Sequence, residues 1–463
     1  MEHIVYPYIP NSVPEVKAGM MKEVNAADER EIFDVIPSHL LYNDFKLPEP
    51  ILDECSLRRH TEGILRKNAS LATHLCFLGA GCAPHYVPSL VDEALTRGEF
   101  YTAYTSDLGD QGRGQMQFEY QSQMAELLDM DVIAFPQYDG GSSLGHAFRM
   151  ARRISGRKKV LYPAGINPMT LAIAKNYISQ IDGDYCILEA VKYDERTGLM
   201  DLEDLAIKLD SETAAVAVEN PGFLGVIEIQ AEEIGKLAKA AGAEFIVYGD
   251  PIALGVLEAP GSLGATIACG DIHSLGIHMF AGAGVGGYVM VKDDPKYAFQ
   301  LKDMMYGASP TLVEGEIGFS FEAAFDRTSY EIRERCAEYT GTSAGLWTAS
   351  AGVYLATMGP AGMEEVGTLI MQRSRYAAKK LAAIPGVSLK FTGPFFKEFV
   401  LDLSATGVSP AELNKRLLKE NIIGGYDLSD MVGLDGCMLM CVTELHVKGD
   451  IDLLAEAVER GLK

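Results

Sequence analysis

Between Gly156 and Lys292 the chain alternates short apolar runs with amphipathic stretches. This alternation constrains the fold more than any other feature. KVLYP, DYCILEA, TAAVAVENP, EFIVYGDP, TIACG and GYVMVK are strand-like and apolar at nearly every position. A strand with no polar face must be covered on both sides, as in a parallel sheet. The stretches between them carry helix signals. Asn167 is placed to cap a helix with Pro168 at its first position, followed by TLAIAKNYISQI. Asp201 is placed to cap DLEDLAIKL, and AEEIGKLAKAAG closes on Gly242, a C-terminal cap. The pattern predicts an α/β fold with a mostly parallel sheet and helices on both faces.

The flanks differ in character. Residues 1–65 read as acidic helical segments broken by Pro10, Pro14, Pro37, Pro48 and Pro50. They form either an N-terminal helical arm that wraps a neighbouring subunit or a simple surface layer. Beyond about residue 310, a Gly-, Ser- and acid-rich stretch (GASPTLVEGEIGFS) leads into helices over 344–356 and 363–383. VSLKF, EFVLDL and CMLMCVT follow as strands, with PAELNKRLLKENI and DIDLLAEAVERGL as helices. The expected organisation is an arm (1–65), a large α/β domain (66–310) and a small C-terminal α+β domain (311–463). A chain of 463 residues is long enough for both cores.

Composition narrows the partners. With 64 acidic against 40 basic residues, the net charge of −24 argues against nucleic acid and anionic membrane. No apolar run reaches the roughly 18 residues of a membrane span, and MEHIVYPYIPNSVPE has no targeting pattern. The eight cysteines never form CxxC and several sit in strand-like runs. They read as reduced, buried thiols, which predicts a cytoplasmic protein with no zinc site.

Several motifs bear on chemistry. Tyr138-Asp-Gly-Gly-Ser-Ser143 precedes the helix LGHAFRMARRI. Gly140, Gly141, Ser142 and Ser143 are either a phosphate cradle at a helix start or a turn that caps the helix. Asp250 ends a strand, where ligands bind in α/β sheets. It is either the carboxylate that pairs with a pyridinium nitrogen or a turn residue before Pro251. GAGVGG (282–287) matches G-x-G-x-x-G, but the strand-like YVMVK follows it, so a dinucleotide site is rejected. His273 and His278, with Asp250, are either a ligand cluster or structural histidines, and His85 is equally open. FYTAYTSDLGDQGRG (100–114) is either a binding loop rich in hydroxyls or a surface loop. On a pyridoxal-phosphate scaffold, the interval from Asp250 to the Gly-rich turn ends in the lysine that anchors the cofactor. Here no lysine lies between Lys239 and Lys292. A chain that keeps this architecture without the anchor is expected to complete a site whose lysine belongs to a partner.

These segments, in this order, resemble the first (alpha) subunit of the two-chain glycine decarboxylase, the P-protein of the glycine cleavage system. The resemblance rests on YIPNS, CFLGAG (76–81), HYVPSLVDEALTRGEFYTAYT (85–105), YDG at Tyr138, NPGFLGVIE (220–228), GDPIALGVLEAPGSLGATIACGD from Gly249, and HSLGI at His273. It implies a fold-type-I pyridoxal-phosphate transferase-like architecture. Against HLNLHKTF, the similar stretch in the lysine-bearing subunit, HSLGIHMF sets His278 where the lysine stands. The resemblance further implies an alpha2beta2 complex with a homologous lysine-bearing beta subunit. Pyridoxal phosphate is then bound covalently by the partner and not by this chain. Glycine is decarboxylated and its aminomethyl group passes to the lipoylated H-protein. Tyr101, Thr102, Tyr104, His273 and His278 become candidate catalytic residues. Gly140, Gly141, Ser142, Asn220 and Asp250 become candidate cofactor-binding residues. Two stretches depart from the family. SDLGDQG replaces PYQPEISQG after YTAYT, and YEIRERCAEYTGTS replaces QHIRREKATSNIC. They leave open a paralogous subunit acting on another amino acid or acceptor, and a non-catalytic scaffold or regulatory protein.

Overall fold

The computed structural model describes residues 5–42, 46–98, 111–134, 136–179, 185–279, 286–301, 305–322, 338 and 344–463. The chain divides into two compact units, Met1–Ala69 and Ser70–Lys463.

The first unit holds two α-helices, Pro14–Glu23 and Glu54–Leu65, with short 3-10 turns between them. Pro14 starts one helix. Asp53 caps the other, its Oδ1 accepting from the Ser56 amide at 2.7 Å. None of its described residues is buried, although Tyr8, Val35, Leu47 and Leu52 are large, apolar and more than 75% exposed.

The second unit contains fifteen strands among its described residues. They are β1 (Leu75–Cys76), β2 (Val132–Ile133), β3 (Lys159–Pro163), β4 (Ile187–Val191), β5 (Thr213–Asn220), β6 (Glu244–Gly249), β7 (Ile267–Asp271), β8 (Gly287–Val291), β9 (Met305–Pro310), β10 (Ile317–Glu322), β11 (Ser388–Leu389), β12 (Glu398–Asp402), β13 (Ile422–Ile423), β14 (Tyr426–Asp427) and β15 (Cys437–Cys441). The main sheet runs β2-β8-β7-β6-β5-β3-β4. Strands β7, β6, β5, β3 and β4 are parallel, and β8 is antiparallel to both its neighbours. The alternation read from the sequence therefore becomes the expected mostly parallel sheet. Strand β5 shows why its strands lack a polar face. Ala215 and Ala217 pack with Leu144 and Phe148 of the helix Gly140–Ser155 on one side. Val216 and Val218 pack with Leu205 and Ile234 on the other.

The helix caps fall where the sequence places them. The Asn167 side chain accepts from Met169 N, Asp201 accepts from Glu203 N and Asp204 N, and Gly242 follows the helix Ala231–Ala240 at φ +68°.

The C-terminal part forms an antiparallel sheet, β11-β12-β15-β14, with the helices Pro410–Leu418 and Lys448–Gly461 packed on its core. The helices expected over 344–356 and 363–383 are the two arms of Gly345–Leu381, which breaks at Gly359 (φ +59°, ψ −179°) just before Pro360. GASPTLVEGEIGFS, to which the sequence assigned no element, forms most of the hairpin β9–β10, which turns through Gly315 at φ +83°. The hairpin's residues from Gly307 to Glu316 are exposed, so no buried alternation marks it in the sequence.

No helix among the described residues is long and apolar enough to cross a membrane.

Candidate functional site

Strand β6 ends at Gly249, and Asp250 caps the 3-10 turn Pro251–Gly255, accepting from Ile252 N at 3.3 Å. This puts the Asp250 carboxylate at the C-terminal edge of the parallel strands, where such sheets bind ligands. Both of its oxygens are engaged. Oδ1 accepts from Ser274 Oγ at 2.7 Å, and Oδ2 accepts from Lys397 Nζ at 2.5 Å. Burial pushes the Asp250 pKa up, but the Lys397 ammonium outweighs it and holds the group down to about 2. Burial opposes the charge of Lys397, and the carboxylates of Asp250 and Glu398 reverse that effect and hold its pKa above the ordinary lysine value.

Lys397 is brought there by the segment before β12. Residues 394–396 lie along 225–227. Ile227 N donates to Pro394 O at 2.7 Å, Phe396 N donates to Gly225 O at 3.4 Å, and Val226 bridges Phe395. Gly225, at φ +87°, is required for this approach, since a Cβ there would lie 2.0 Å from the Glu398 carbonyl oxygen.

The cavity at this point has a volume of about 60 Å³, and its walls include Glu219, Asp271, His273, Lys397 and Glu398. Glu219 is buried, which raises its pKa to about 8, and its carboxylate accepts from Phe223 N at 2.8 Å. Burial, with Asp250 nearby, lifts Asp271 to about 7. Glu398 is raised by burial and accepts from Ala80 N at 2.7 Å. A second pair lies close by, His85 Nδ1 with Glu444 Oε2 at 3.0 Å, the His85 ring centroid 6.4 Å from that of His273. Burial pushes Glu444 up, and His85 brings it down to about 2.

The candidate residues that are described fall into three groups. Asn220, Asp250 and His273 come together. Asn220 ends β5 in register with Gly249, and its Oδ1 accepts from Glu228 N at 3.1 Å. His273 is 3% exposed, its Nε2 is 2.9 Å from Ala83 O, and burial lowers its pKa to about 4. Gly140, Gly141 and Ser142 begin the neighbouring helix. There the Asp139 Oδ1 accepts from Ser142 N at 2.7 Å, and the Ser142 hydroxyl donates to Asp139 O at 2.8 Å. Gly140 is packed so tightly that a Cβ would lie 2.1 Å from Tyr248 Oη, in the cavity wall. His278 stands apart, its side chain 54% exposed and its Nε2 2.7 Å from Asp92 Oδ1. Tyr101, Thr102 and Tyr104 lie outside the described residues, as do most of the two departing stretches and residues 282–285 of the Gly-rich turn.

Lys397, Glu219, Asp271, Glu398 and Glu444 were not singled out from the sequence as site residues, whereas His85 was left open there. One signal was available for Lys397 and Glu398. FFKEFVLDL places two adjacent charges inside an apolar run, and buried charges of that kind need partners.

This arrangement does not fit pyridoxal phosphate. Ligand pockets usually enclose some 300–1,000 Å³, against about 60 Å³ here. The carboxylate that would meet a ring nitrogen already holds an ammonium. The helix start that would receive a phosphate holds the Asp139 carboxylate. Among the described residues, no group of three or more His, Cys, Asp or Glu is placed to hold a metal ion.

Comparison with known proteins places the chain. The family model "Glycine cleavage system P-protein" matches residues 7–458. A protein of Staphylothermus marinus named "Probable glycine dehydrogenase (decarboxylating) subunit 1" is 36% identical over 462 residues, covering 97% of each chain. One of the same name from Desulforamulus reducens is 37% identical, covering 97% of this chain and 98% of its own. A solved glycine decarboxylase (P-protein) of the glycine cleavage system, in inhibitor-bound form, superposes with a TM-score of 0.85 at 30% identity, over 99% of this chain and 100% of that one. The sphingosine-1-phosphate lyase of Burkholderia pseudomallei shares the fold at a TM-score of 0.65 and 16% identity, covering 92% and 93% of the two chains. The architecture is that of the fold-type-I pyridoxal-phosphate enzymes, and by full-length similarity in sequence and structure this chain belongs to the glycine cleavage system P-protein family.

Proposed function

We propose that this chain is the lysine-less subunit of a pyridoxal-phosphate-dependent glycine decarboxylase, working with a homologous lysine-bearing subunit in an alpha2beta2 complex in the cytoplasm. One observation carries the reading. The Asp250 site is closed by an internal ion pair in a chain with no lysine from residue 240 to 291. In a family whose members are named for glycine decarboxylation, the covalent anchor then has to come from the partner. Pyridoxal phosphate held there supplies the electron sink that decarboxylation requires. This chain would complete the pocket, orient glycine and exclude water. Tyr101, Thr102, Tyr104 and the exposed His278, steadied by Asp92, are the groups proposed to face the shared site. The aminomethyl group then passes to the lipoylated H-protein. The apolar side chains exposed on the N-terminal unit are suited to cover the partner.

The test is co-expression with the lysine-bearing homologue, followed by glycine–bicarbonate exchange with lipoylated H-protein. Exchange by the pair, and by neither chain alone, is expected. Exchange by this chain alone would overturn the reading. The replaced stretches at 106–114 and 331–344 favour one second reading, a paralogous subunit with a different amino acid or acceptor. Its signature would be a complex that assembles and turns over another amino acid but not glycine.

A further inference from the structure

Among the described residues that line the cavity, Lys397 is the only lysine or arginine, against four carboxyl groups, Glu219, Asp250, Asp271 and Glu398. Its side chain is 16% exposed and that of Asp250 is 20% exposed. The pair is assembled from two separate parts of the unit, the end of β6 and the segment entering β12. Ser274 fixes the orientation of the Asp250 carboxylate from the other side. His273 Nδ1, in the same wall, is buried with no hydrogen-bond partner among the described residues. Asp250 stands at the strand edge where this fold receives a cationic ring nitrogen. Here it receives a primary ammonium group instead, on a flexible four-carbon stem.

We infer that the Asp250–Ser274 corner is an ammonium-binding site whose standing ligand is the chain's own Lys397, and that removing this side chain opens a site selective for a small primary alkylammonium ion. The chemistry sets the selectivity. A primary ammonium brings three N–H donors to a carboxylate that has no other cation within hydrogen-bonding distance among the described residues. A quaternary ammonium has no N–H donor to offer the carboxylate. The atoms of lysine beyond Cβ match those of propylammonium, so truncation to alanine leaves a gap of that shape. The inference concerns the corner itself and holds whichever amino acid the family reaction consumes.

The experiment uses the full-length chain with Lys397→Ala. The variant leaves a buried carboxylate without its cation, and its Tm is expected to fall by roughly 5 °C or more. Propylammonium chloride at millimolar concentration should restore most of that loss, saturably. Tetramethylammonium chloride and sodium chloride at equal ionic strength should not. Asp250→Asn combined with Lys397→Ala should abolish the selective response. If Lys397→Ala does not fold, Lys397→Met is compared with Lys397→Met plus Asp250→Leu, and the double variant is expected to be the more stable. The inference is overturned by equal stabilisation from propylammonium and tetramethylammonium. It is equally overturned by propylammonium rescue that survives the loss of Asp250, or by a double variant no more stable than Lys397→Met.

Discussion

At the scale of single residues, the site combines groups whose titrations oppose one another. Glu219 and Asp271 are raised by burial to about 8 and about 7. Between roughly pH 4 and 8 the folded chain therefore holds protons that the unfolded chain has lost, and these groups make stability fall as pH rises. Asp250 and Glu444, despite burial, are held near 2 by Lys397 and His85. Their contribution is present above the ordinary carboxylate pKa and is lost as pH falls towards 2. His273 in the cavity wall, and His146 inside the helix Gly140–Ser155 and outside the site, are each lowered by burial to about 4 and take stability away as pH drops below about 6.5. Together they predict stability that falls towards pH 2, as the Asp250 and Glu444 pairs are lost, and falls again above about pH 6.5, as Glu219 and Asp271 give up their protons. Glu219→Gln should flatten the decline between about pH 6.5 and 8 in urea-unfolding midpoints. An unchanged slope would show that Glu219 is not the protonated carboxylic acid described here. Asp250 was legible from its place at a strand end. Its partner was not, because the ion pair joins positions 147 residues apart and sequence pattern reports local periodicity only.

At the scale of elements, the break in helix Gly345–Leu381 has a local cause. Gly359 has φ +59° and ψ −179°, a region that only glycine adopts at low cost, and a Cβ placed there would meet nothing within 4 Å. Gly359→Ala should therefore cost about 1–3 kcal/mol from backbone strain alone, read as a lower unfolding midpoint. No loss would mean the helix straightens without penalty. The sequence marked this break through the Gly-Pro pair, since proline cannot continue a helical hydrogen-bond ladder. The parallel strands and the caps at Asn167 and Asp201 were legible for the same reason, as local chemistry fixes them. The hairpin β9–β10 was not legible. Leu312, Val313 and Ile317 are all exposed, so period-two burial is absent where it would have revealed strands. Capping and cradling give the same Gly-Gly-Ser-Ser signature, so only geometry shows what Ser142 and Asp139 do.

For the whole molecule, the P-protein architecture is kept while its Asp250 corner is held by Lys397. On the function proposed above, such a chain works beside a partner subunit. Its N-terminal unit has no buried residue among those described, despite many large apolar side chains. We expect an obligate interface above roughly 2,000 Å². Sedimentation should show self-association or aggregation of the isolated chain, and a defined hetero-oligomer once the lysine-bearing partner is added. A stable monomer indifferent to that partner would contradict this. The most direct measurement is borohydride reduction of the reconstituted complex, followed by peptide mass mapping. The account predicts a pyridoxyl adduct on one lysine of the partner and on no defined lysine of this chain. An adduct on a single defined lysine here, Lys397 above all, would contradict it.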